Sequence, residues 1–265
     1  MLQRLFARYT GWLRNLKAVY VVNNLLNAPR LRRQRELYRQ YGVKRSVFAP
    51  VGAKNFKQHP STELPWLDRP DAVEQLAQNA EFQNFNPDIQ QKIRQFVTDG
   101  YLVLEGLVPA DEAAALNAEV EHLLAAGEAG YNYTGRKIFN LHERSQLARE
   151  QFFRRPELLR MLQFLLGRPV LPFQSLNFTV GSEQRAHSDL IHMTTEPQGY
   201  LIAAWYALEP CTPDNGPVVY YPGSHRLPFV STEDYDSGNT RFTIGDESNR
   251  RYEDKIAALI AEKGL

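Results

Sequence analysis

The change of texture near residue 170 constrains the fold more than any other feature of this sequence. From Val170 onward, short runs rich in β-branched and aromatic residues alternate with clusters of glycine, proline, serine and asparagine. Such runs, when bounded by turn residues, are typical of β-strands, and the clearest are 175–180, 200–208 and 218–221. Because helical periodicity precedes them, we expect an α+β protein whose β part is a sandwich or small barrel preceded by helices.

Helix signals occupy the region before residue 170 and return near the end of the sequence. The helix that starts at Asn86-Pro87 is expected to stop at Gly100, because proline favours the first turn and glycine the position just after the last. A short strand follows over 101–104. Apolar residues at three- and four-residue steps predict further helices, and these helices span 110–126, 156–166 and 252–262.

Charge is distributed very unevenly along the chain. Residues 1–57 contain thirteen lysines and arginines against one acid, so they carry +12 and the rest carries −11 in a chain whose total is +1. This asymmetry suggests parts with different roles. Together with the prolines around residue 60, it predicts a basic helical extension over 1–60, a connector over 61–87 and a main domain over 88–265.

The basic extension is expected to open with an amphipathic helix. Its apolar residues have helical spacing, and its basic residues lie mostly off their stripe; the stripe consists of Leu2, Leu5, Phe6, Tyr9, Leu13, Leu16 and Tyr20. Such a helix can pack on the protein's own core, lie on an anionic membrane surface or serve as an organelle presequence. The first serine is Ser46, which counts against a presequence. Packing on the protein is favoured, and nucleic-acid binding ranks last because no reading motif accompanies the charge.

The composition of the 265-residue chain indicates a soluble cytoplasmic protein. Its single cysteine, Cys211, excludes an internal disulfide and suits a reducing compartment. No apolar run approaches the roughly 18 to 20 residues that a membrane-spanning helix needs.

Two potential metal ligands, His187 and Asp189, precede the predicted strand 200–208. Residues two apart in a strand point to the same face, so His187 and Asp189 can reach one metal ion while Ser188 faces away. By the same rule His192 points to the opposite face. Two histidines and one carboxylate form the facial triad of non-haem Fe(II) sites, and this pair supplies two of those three ligands.

Further motifs stand at characteristic positions around this pair. They are Phe96-Val97-Thr98-Asp99-Gly100-Tyr101-Leu102-Val103-Leu104, Trp205 eighteen residues after His187, Asn215-Gly216-Pro217 and Tyr221-Pro222-Gly223-Ser224-His225-Arg226. Together with His187-Ser188-Asp189 they resemble the phytanoyl-CoA dioxygenase family of Fe(II)- and 2-oxoglutarate-dependent oxygenases. The resemblance covers roughly residues 88 to 265, and its specificity lies in the combination of motifs.

The resemblance implies a double-stranded β-helix, or jelly-roll, with catalytic Fe(II) bound by His187 and Asp189. The cosubstrate 2-oxoglutarate and O2 would be converted to succinate and CO2 while a C–H bond of a small organic substrate is hydroxylated. The carboxylate of Asp189 separates the chain from halogenating relatives, which carry a small residue there. The other expected site residues are, for the cosubstrate, Trp205, Gln174 and Asn177 and, for the substrate, Phe139, Asn140 and His192. Trp205 could instead be an ordinary core aromatic. The amide side chains of Gln174 and Asn177 could instead serve only as hydrogen-bond partners of backbone groups.

The family pattern is incomplete in this sequence. The resemblance places the third iron ligand, and then an arginine for 2-oxoglutarate, on strands beyond the turn at His225, where His225 itself has a structural role. The chain ends at Leu265, forty residues after His225. We therefore expect a C-terminally truncated dioxygenase with an incomplete jelly-roll. The alternative is a non-catalytic binding or interaction protein on a degenerate jelly-roll, with the basic arm as its contact surface.

Overall fold

The computed structural model describes residues 13, 15–51, 55, 63–132, 135–193, 195, 198–245 and 247–265. The apolar stripe from Leu2 to Tyr9 and the part of the connector around Pro60 lie outside these residues. Within them the helices are, in chain order, α1 (Lys17–Leu26), α2 (Arg32–Gln40), α3 (Ala72–Gln78), α4 (Ala80–Gln83), α5 (Pro87–Asp99), α6 (Ala110–Ala125), α7 (Pro156–Leu166) and α8 (Ser248–Lys263), and the strands are β1 (Lys137–Phe139) and β2 (Leu176–Phe178). No helix in this described part is long and apolar enough to cross a membrane.

The helices predicted from local signals are confirmed. At the start of α5 the side-chain oxygen of Asn86 accepts a hydrogen bond from the Ile89 N–H at 2.9 Å, and Gly100 ends the helix with φ +82°. A left-handed residue just after a helix lets the last carbonyl groups accept hydrogen bonds. Glycine adopts this conformation without steric cost because it has no Cβ. Helices α6 and α7 also match their predicted spans, and α8 begins earlier than predicted, at Ser248.

The N-terminal helix differs from its prediction. Leu16 has an extended backbone, with φ −89° and ψ 113°, and forms an isolated β-bridge with Thr243. Helix α1 therefore begins at Lys17, and the apolar stripe expected to run through Leu16 to Tyr20 is interrupted at that residue.

The described part of the chain contains one small, two-stranded sheet. Strands β1 and β2 pair antiparallel in the register Lys137 to Phe178, Ile138 to Asn177 and Phe139 to Leu176. The strands predicted over 101–104, 200–208 and 218–221 are irregular segments without a ladder. A strand needs a hydrogen-bonded neighbour, and sequence patterning cannot show whether that neighbour is present. The structure agrees with the α+β class in that it contains helices and a small antiparallel sheet. The jelly-roll stays a prediction.

Two compact units make up the chain. The first comprises Met1–Glu63, Arg185–Gln198 and Pro228–Gly264, and the second comprises Leu64–Gln184, Gly199–Leu227 and Leu265. The domain boundaries predicted at residues 60 and 87 stay predictions.

The second unit has two hydrophobic clusters. One packs α3, α5 and α7 around Phe82, Ile93 and Phe164, and the other packs α6 and β1 with the π-helix Ala148–Phe153. Alternate residues of the irregular runs also pack here: Leu102 and Leu104 pack on the first cluster, and Tyr206 and Leu208 on the second. The period of two in the sequence thus reports inward-facing residues even where no ladder forms.

The first unit has its buried face on α8. Tyr252, Ile256, Leu259 and Ile260 are all buried and recur at helical spacing. This face positions the segment that carries His187 and Asp189.

Candidate metal centre

His187 and Asp189 lie together in the first unit, on a tight turn. Nε2 of His187 is 3.4 Å from Oδ1 of Asp189, and their side chains are 24% and 54% exposed. The sequence analysis predicted this proximity, but its reason, that both residues lie on one face of a strand, is wrong. Asp189 opens the 3-10 turn Asp189–Ile191, and Ser188 caps this turn by accepting a hydrogen bond from the Leu190 N–H at 3.4 Å.

The turn also corrects the prediction for His192. A 3-10 turn advances about 120° per residue, so strand parity does not apply across it. The rings of His187 and His192 have their centroids 5.9 Å apart, in an edge-on arrangement. His192 therefore lies near the ligand pair instead of facing away from it.

The hydrogen bond at the far side of the His187 ring fixes its orientation. Nδ1 of His187 lies 2.7 Å from the carbonyl oxygen of Arg185. A carbonyl oxygen can only accept, so Nδ1 carries a proton and Nε2 is directed toward Asp189. Metal-binding histidines typically donate their second N–H in this way, which holds the ring and the tautomer in place.

The spacing of the two ligand atoms fits a shared divalent cation. Nitrogen and oxygen ligands lie about 2.1 Å from such an ion, so two of them at a right angle are about 3 Å apart. A neutral imidazole lone pair facing a carboxylate is unfavourable unless a cation or a proton lies between them. The donor set and its 3.4 Å separation therefore fit the iron that the sequence suggests.

Helix α8 holds the ligand segment at two points. The buried hydroxyl of Tyr252 accepts a hydrogen bond from the Ser188 N–H at 3.0 Å and donates one to the Ser188 carbonyl at 3.3 Å. Burial raises the pKa of Tyr252, which keeps this hydroxyl protonated and able to donate. Arg185 binds Asp254 at 2.8 Å. Sequence reasoning missed Tyr252, whose only signal was its place on the apolar stripe of α8.

The described part of the chain places no third ligand next to this pair. Among the described residues, no group of three or more histidine, cysteine, aspartate or glutamate side chains is arranged to hold a metal ion. The described residues therefore bring together the two predicted ligands, and none of them adds a third.

The residues predicted to bind the cosubstrate and substrate lie mostly in the second unit. Asn177 pairs with Ile138 on the inner side of the small sheet, whereas Phe139 lies on the outer side and is 43% exposed. Gln174 is half-buried just before β2. Trp205 is 56% exposed and so is not the core aromatic of its alternative interpretation.

Asn140 has a specific structural role beside β1. It adopts the left-handed conformation with φ +53°, donates its amide to Glu143 at 3.2 Å and donates its backbone N–H to the Ser175 carbonyl at 2.9 Å. Its side-chain oxygen is buried without a hydrogen-bond partner among the described residues. This unsatisfied acceptor could take a donor from a bound ligand.

His225 also lies in the second unit, on the 3-10 turn Ser224–Arg226. Its ring packs against Gly100, where an added Cβ would collide with it. This position fits the structural role predicted for His225.

A comparison with protein-family models completes the assignment. The model of the family described as phytanoyl-CoA dioxygenase matches residues 96–264. The chain belongs to this family.

Family relatives of known name share up to one third of their residues with this chain over the matched region. The "Ectoine dioxygenase" of Sphingopyxis alaskensis is 33% identical over 164 residues, which cover 56% of this chain and 53% of that relative. The protein of the same name from Bordetella bronchiseptica is 31% identical over 157 residues, covering 53% and 50%. The "Phytanoyl-CoA dioxygenase, peroxisomal" of Rattus norvegicus is 23% identical over 162 residues, covering 52% and 47%.

The chain thus spans about half the length of the curated relatives it matches. No solved structure matches it.

Proposed function

We propose that this chain carries part of the active site of an Fe(II)- and 2-oxoglutarate-dependent dioxygenase that hydroxylates a small organic substrate. The observation that supports this most is the His187–Asp189 pair, with Nε2 and Oδ1 3.4 Å apart and the opposite ring nitrogen held by the Arg185 carbonyl. Family membership supports the reaction class, since the relatives are named as dioxygenases.

Nε2 of His187 and a carboxylate oxygen of Asp189 would hold the iron. When bound, iron supplies the activation of O2 that is coupled to oxidation of 2-oxoglutarate. The carboxylate offsets part of the metal charge and, with the histidine, leaves positions for other ligands. Arg185 sets the histidine tautomer, and Tyr252 holds the backbone between the two ligands through Ser188.

The rest of the site is proposed on the family pattern. Trp205, Gln174 and Asn177 would line the 2-oxoglutarate pocket of a jelly-roll, and Phe139, Asn140 and His192 would line the substrate pocket. The unpartnered amide oxygen of Asn140 supports its part in this set. A third iron ligand would come from outside the residues that the structure describes, because none of these completes the group.

The identities favour a compact solute over a long-chain thioester as the first substrate class to test. The relatives named as ectoine dioxygenases are 33% and 31% identical, against 23% for the one named for phytanoyl-CoA. Ectoine is therefore the first substrate to assay, and related cyclic amino acids are the next.

A second candidate is a non-catalytic binding protein on the same family fold. It is favoured by one observation, the absence of a third ligand beside His187 and Asp189 in the described residues. Such a protein would bind a divalent ion or a small molecule without turnover. The cytoplasmic location predicted from composition is common to both candidates and stays a prediction.

The two candidates are separated by assaying the full chain for succinate formed from 2-oxoglutarate, with and without Fe(II) and ectoine. The enzyme proposal requires Fe(II)-dependent succinate that is lost in His187→Ala and in Asp189→Ala. His122→Ala is the matched control and should leave the rate unchanged, because His122 is an exposed residue of α6 and is not among the proposed site residues. Metal binding that is lost in both ligand variants, with no succinate under any condition, would favour the binding protein.

A further inference from the structure

Helix α1 turns an apolar stripe outward. Val22, Leu25 and Leu26 are 57%, 53% and 79% exposed, and no residue of α1 is buried. Val22 lies four residues after the exposed Ala18, and Leu25 and Leu26 lie three and four residues after Val22, so these residues share one side of the helix. A helix that packs on its own protein shows the opposite pattern, with its apolar side inward.

The other side of α1 is held to the first unit by polar contacts. Lys17 Nζ donates to the Thr240 carbonyl at 2.5 Å, and the Asn24 amide donates to the Phe48 carbonyl at 3.2 Å. Lys17 and Asn24 are seven residues apart and so lie on the same side of the helix. These contacts fix the rotation of α1 and keep the apolar stripe exposed.

Cations follow this helix closely in the chain. Residues 15–51 contain eight lysines and arginines and a single acid, Glu36. Four of these cations have exposed side chains, and none of the four forms an ion pair with another described residue; they are Arg35, Arg39, Lys44 and Arg45.

Acidic side chains of the same unit are already paired with other arginines. Asp254 binds Arg185 at 2.8 Å, and Asp236 binds Arg251. Arg250 binds Glu247 at 2.8 Å. Asp254, Asp236 and Glu247 are therefore engaged elsewhere and are not the partners of the cations of residues 35–45.

We infer that this region binds the surface of an anionic phospholipid membrane. The basic apolar segment, defined as the outward stripe of α1 together with Arg35, Arg39, Lys44 and Arg45, which follow it in the chain, calls for a partner that is both apolar and negatively charged. A lipid interface offers acyl chains beneath anionic headgroups, and basic helices with aliphatic faces lie in it. A nucleic acid offers the charge but gives exposed leucine and valine side chains no partner. The attachment is peripheral and reversible, because one short stripe inserts little apolar area.

The test is co-sedimentation of the full chain with vesicles. One set contains phosphatidylcholine mixed with phosphatidylglycerol, and the other contains phosphatidylcholine alone. We expect binding to the mixed vesicles, weakened by salt, and much weaker binding to the neutral ones. The double variants Leu25→Glu/Leu26→Glu and Arg35→Glu/Arg39→Glu should each weaken binding by at least about tenfold.

Val218→Glu/Val219→Glu is the matched control. Val218 and Val219 are adjacent in the chain, as Leu25 and Leu26 are, and are 59% and 75% exposed, so this double variant adds the same charge at exposed apolar positions that are not part of the basic apolar segment. It should bind like the wild type, and circular dichroism should show all variants folded.

Three outcomes overturn the inference. The first is equal binding to both vesicle types, and the second is unchanged binding in both double variants. The third is retention on duplex DNA that Arg35→Glu/Arg39→Glu abolishes and Leu25→Glu/Leu26→Glu does not, with no vesicle binding; it would assign the segment to nucleic acid.

Discussion

Two short turns place a histidine beside an aspartate, and the two pairs are built differently. In the first unit, Nε2 of His187 lies 3.4 Å from Oδ1 of Asp189, and Nδ1 is bonded to the Arg185 carbonyl. In the second unit, Nε2 of His225 lies 4.0 Å from Oδ1 of Asp68, and both ring nitrogens are buried without a normal hydrogen bond to any described residue. A hydrogen bond orients the first ring so that Nε2 faces the carboxylate, whereas the second ring is held by packing.

Burial explains the behaviour of the second pair. It raises the pKa of Asp68 and lowers the pKa of His225, and the attraction between the two opposes both shifts only in part. The His225 ring fits because Gly100 has no side chain. A histidine next to a carboxylate is therefore not by itself evidence of a metal site. Two further features distinguish a metal site from a packed pair: a hydrogen-bond partner for the ring nitrogen that faces away from the carboxylate, and access from solvent.

The largest expected effect is on metal binding. His187→Ala should weaken binding of Co(II), used as a stand-in for Fe(II), by more than about 100-fold, because loss of a ligand exceeds the effect of losing a supporting contact. Isothermal titration calorimetry measures the affinity. His225→Ala is the control and should bind as the wild type does. Equal losses in the two variants would remove the distinction between the turns.

A methyl group at Gly100 should break the second turn. Gly100→Ala combines a left-handed φ of +82° with a collision against the His225 ring, so the free energy of unfolding should fall by about 2 to 4 kcal/mol. Urea denaturation measures it. Gly106→Ala has φ +69° and nothing within 4 Å, so it isolates the backbone cost, about 1 kcal/mol. Similar losses at both glycines would show that the ring does not pack as described.

Removing one hydroxyl should loosen the first turn. Tyr252→Phe deletes both hydrogen bonds to Ser188 and should cost about 1 kcal/mol of stability and about tenfold in Co(II) affinity. Tyr206→Phe deletes a similar bond, from its hydroxyl to the Phe152 carbonyl at 3.0 Å, in the other unit. It should lower stability alike and leave metal affinity unchanged. Loss of affinity in Tyr206→Phe as well would mean that the effect is global.

The smallest expected effect is a pH dependence at the second turn. The pKa of His225 is lowered from 6.5, so its contribution to stability is present above pH 6.5 and is lost as the pH falls through the lowered pKa. Asp68 acts with the opposite sign. Its pKa is raised from 3.8, so its contribution is present below 3.8 and is lost as the pH rises through the raised value.

This sign difference can be measured by urea denaturation at about pH 7 and about pH 5. His225→Gln should lose less stability on acidification than the wild type, and Asp68→Asn should lose more. The first result tests the buried histidine, and the second tests its partner. Identical pH slopes in all three proteins would contradict the burial of this pair.

Local signals were readable in the sequence. Asn86, Pro87 and Gly100 predicted α5 because capping depends only on neighbouring residues. The pair His187 and Asp189 could be found from residue type, spacing and the surrounding motifs.

Contacts distant in sequence were not readable. The bond from Tyr252 to Ser188 joins residues 64 positions apart, and no periodicity reports it. The 3-10 turn at Asp189 replaced the expected strand because Ser188 caps a turn there, which overturned the parity argument for His192. The strand predicted over 175–180 is confirmed in β2, but those over 101–104, 200–208 and 218–221 were wrong, because a ladder depends on a partner elsewhere in the chain.

The central claim is that His187 binds metal through Nε2 while Nδ1 keeps its proton on Arg185. Long-range ¹H–¹⁵N NMR of the histidine side chains in the full chain, before and after addition of Zn(II) as a diamagnetic stand-in, tests it directly. We expect one imidazole in the Nδ1–H form whose Nε2 resonance moves on addition of Zn(II) and whose signals are absent from His187→Ala. An Nε2–H tautomer for His187, or no shift of its resonances with Zn(II), would contradict it.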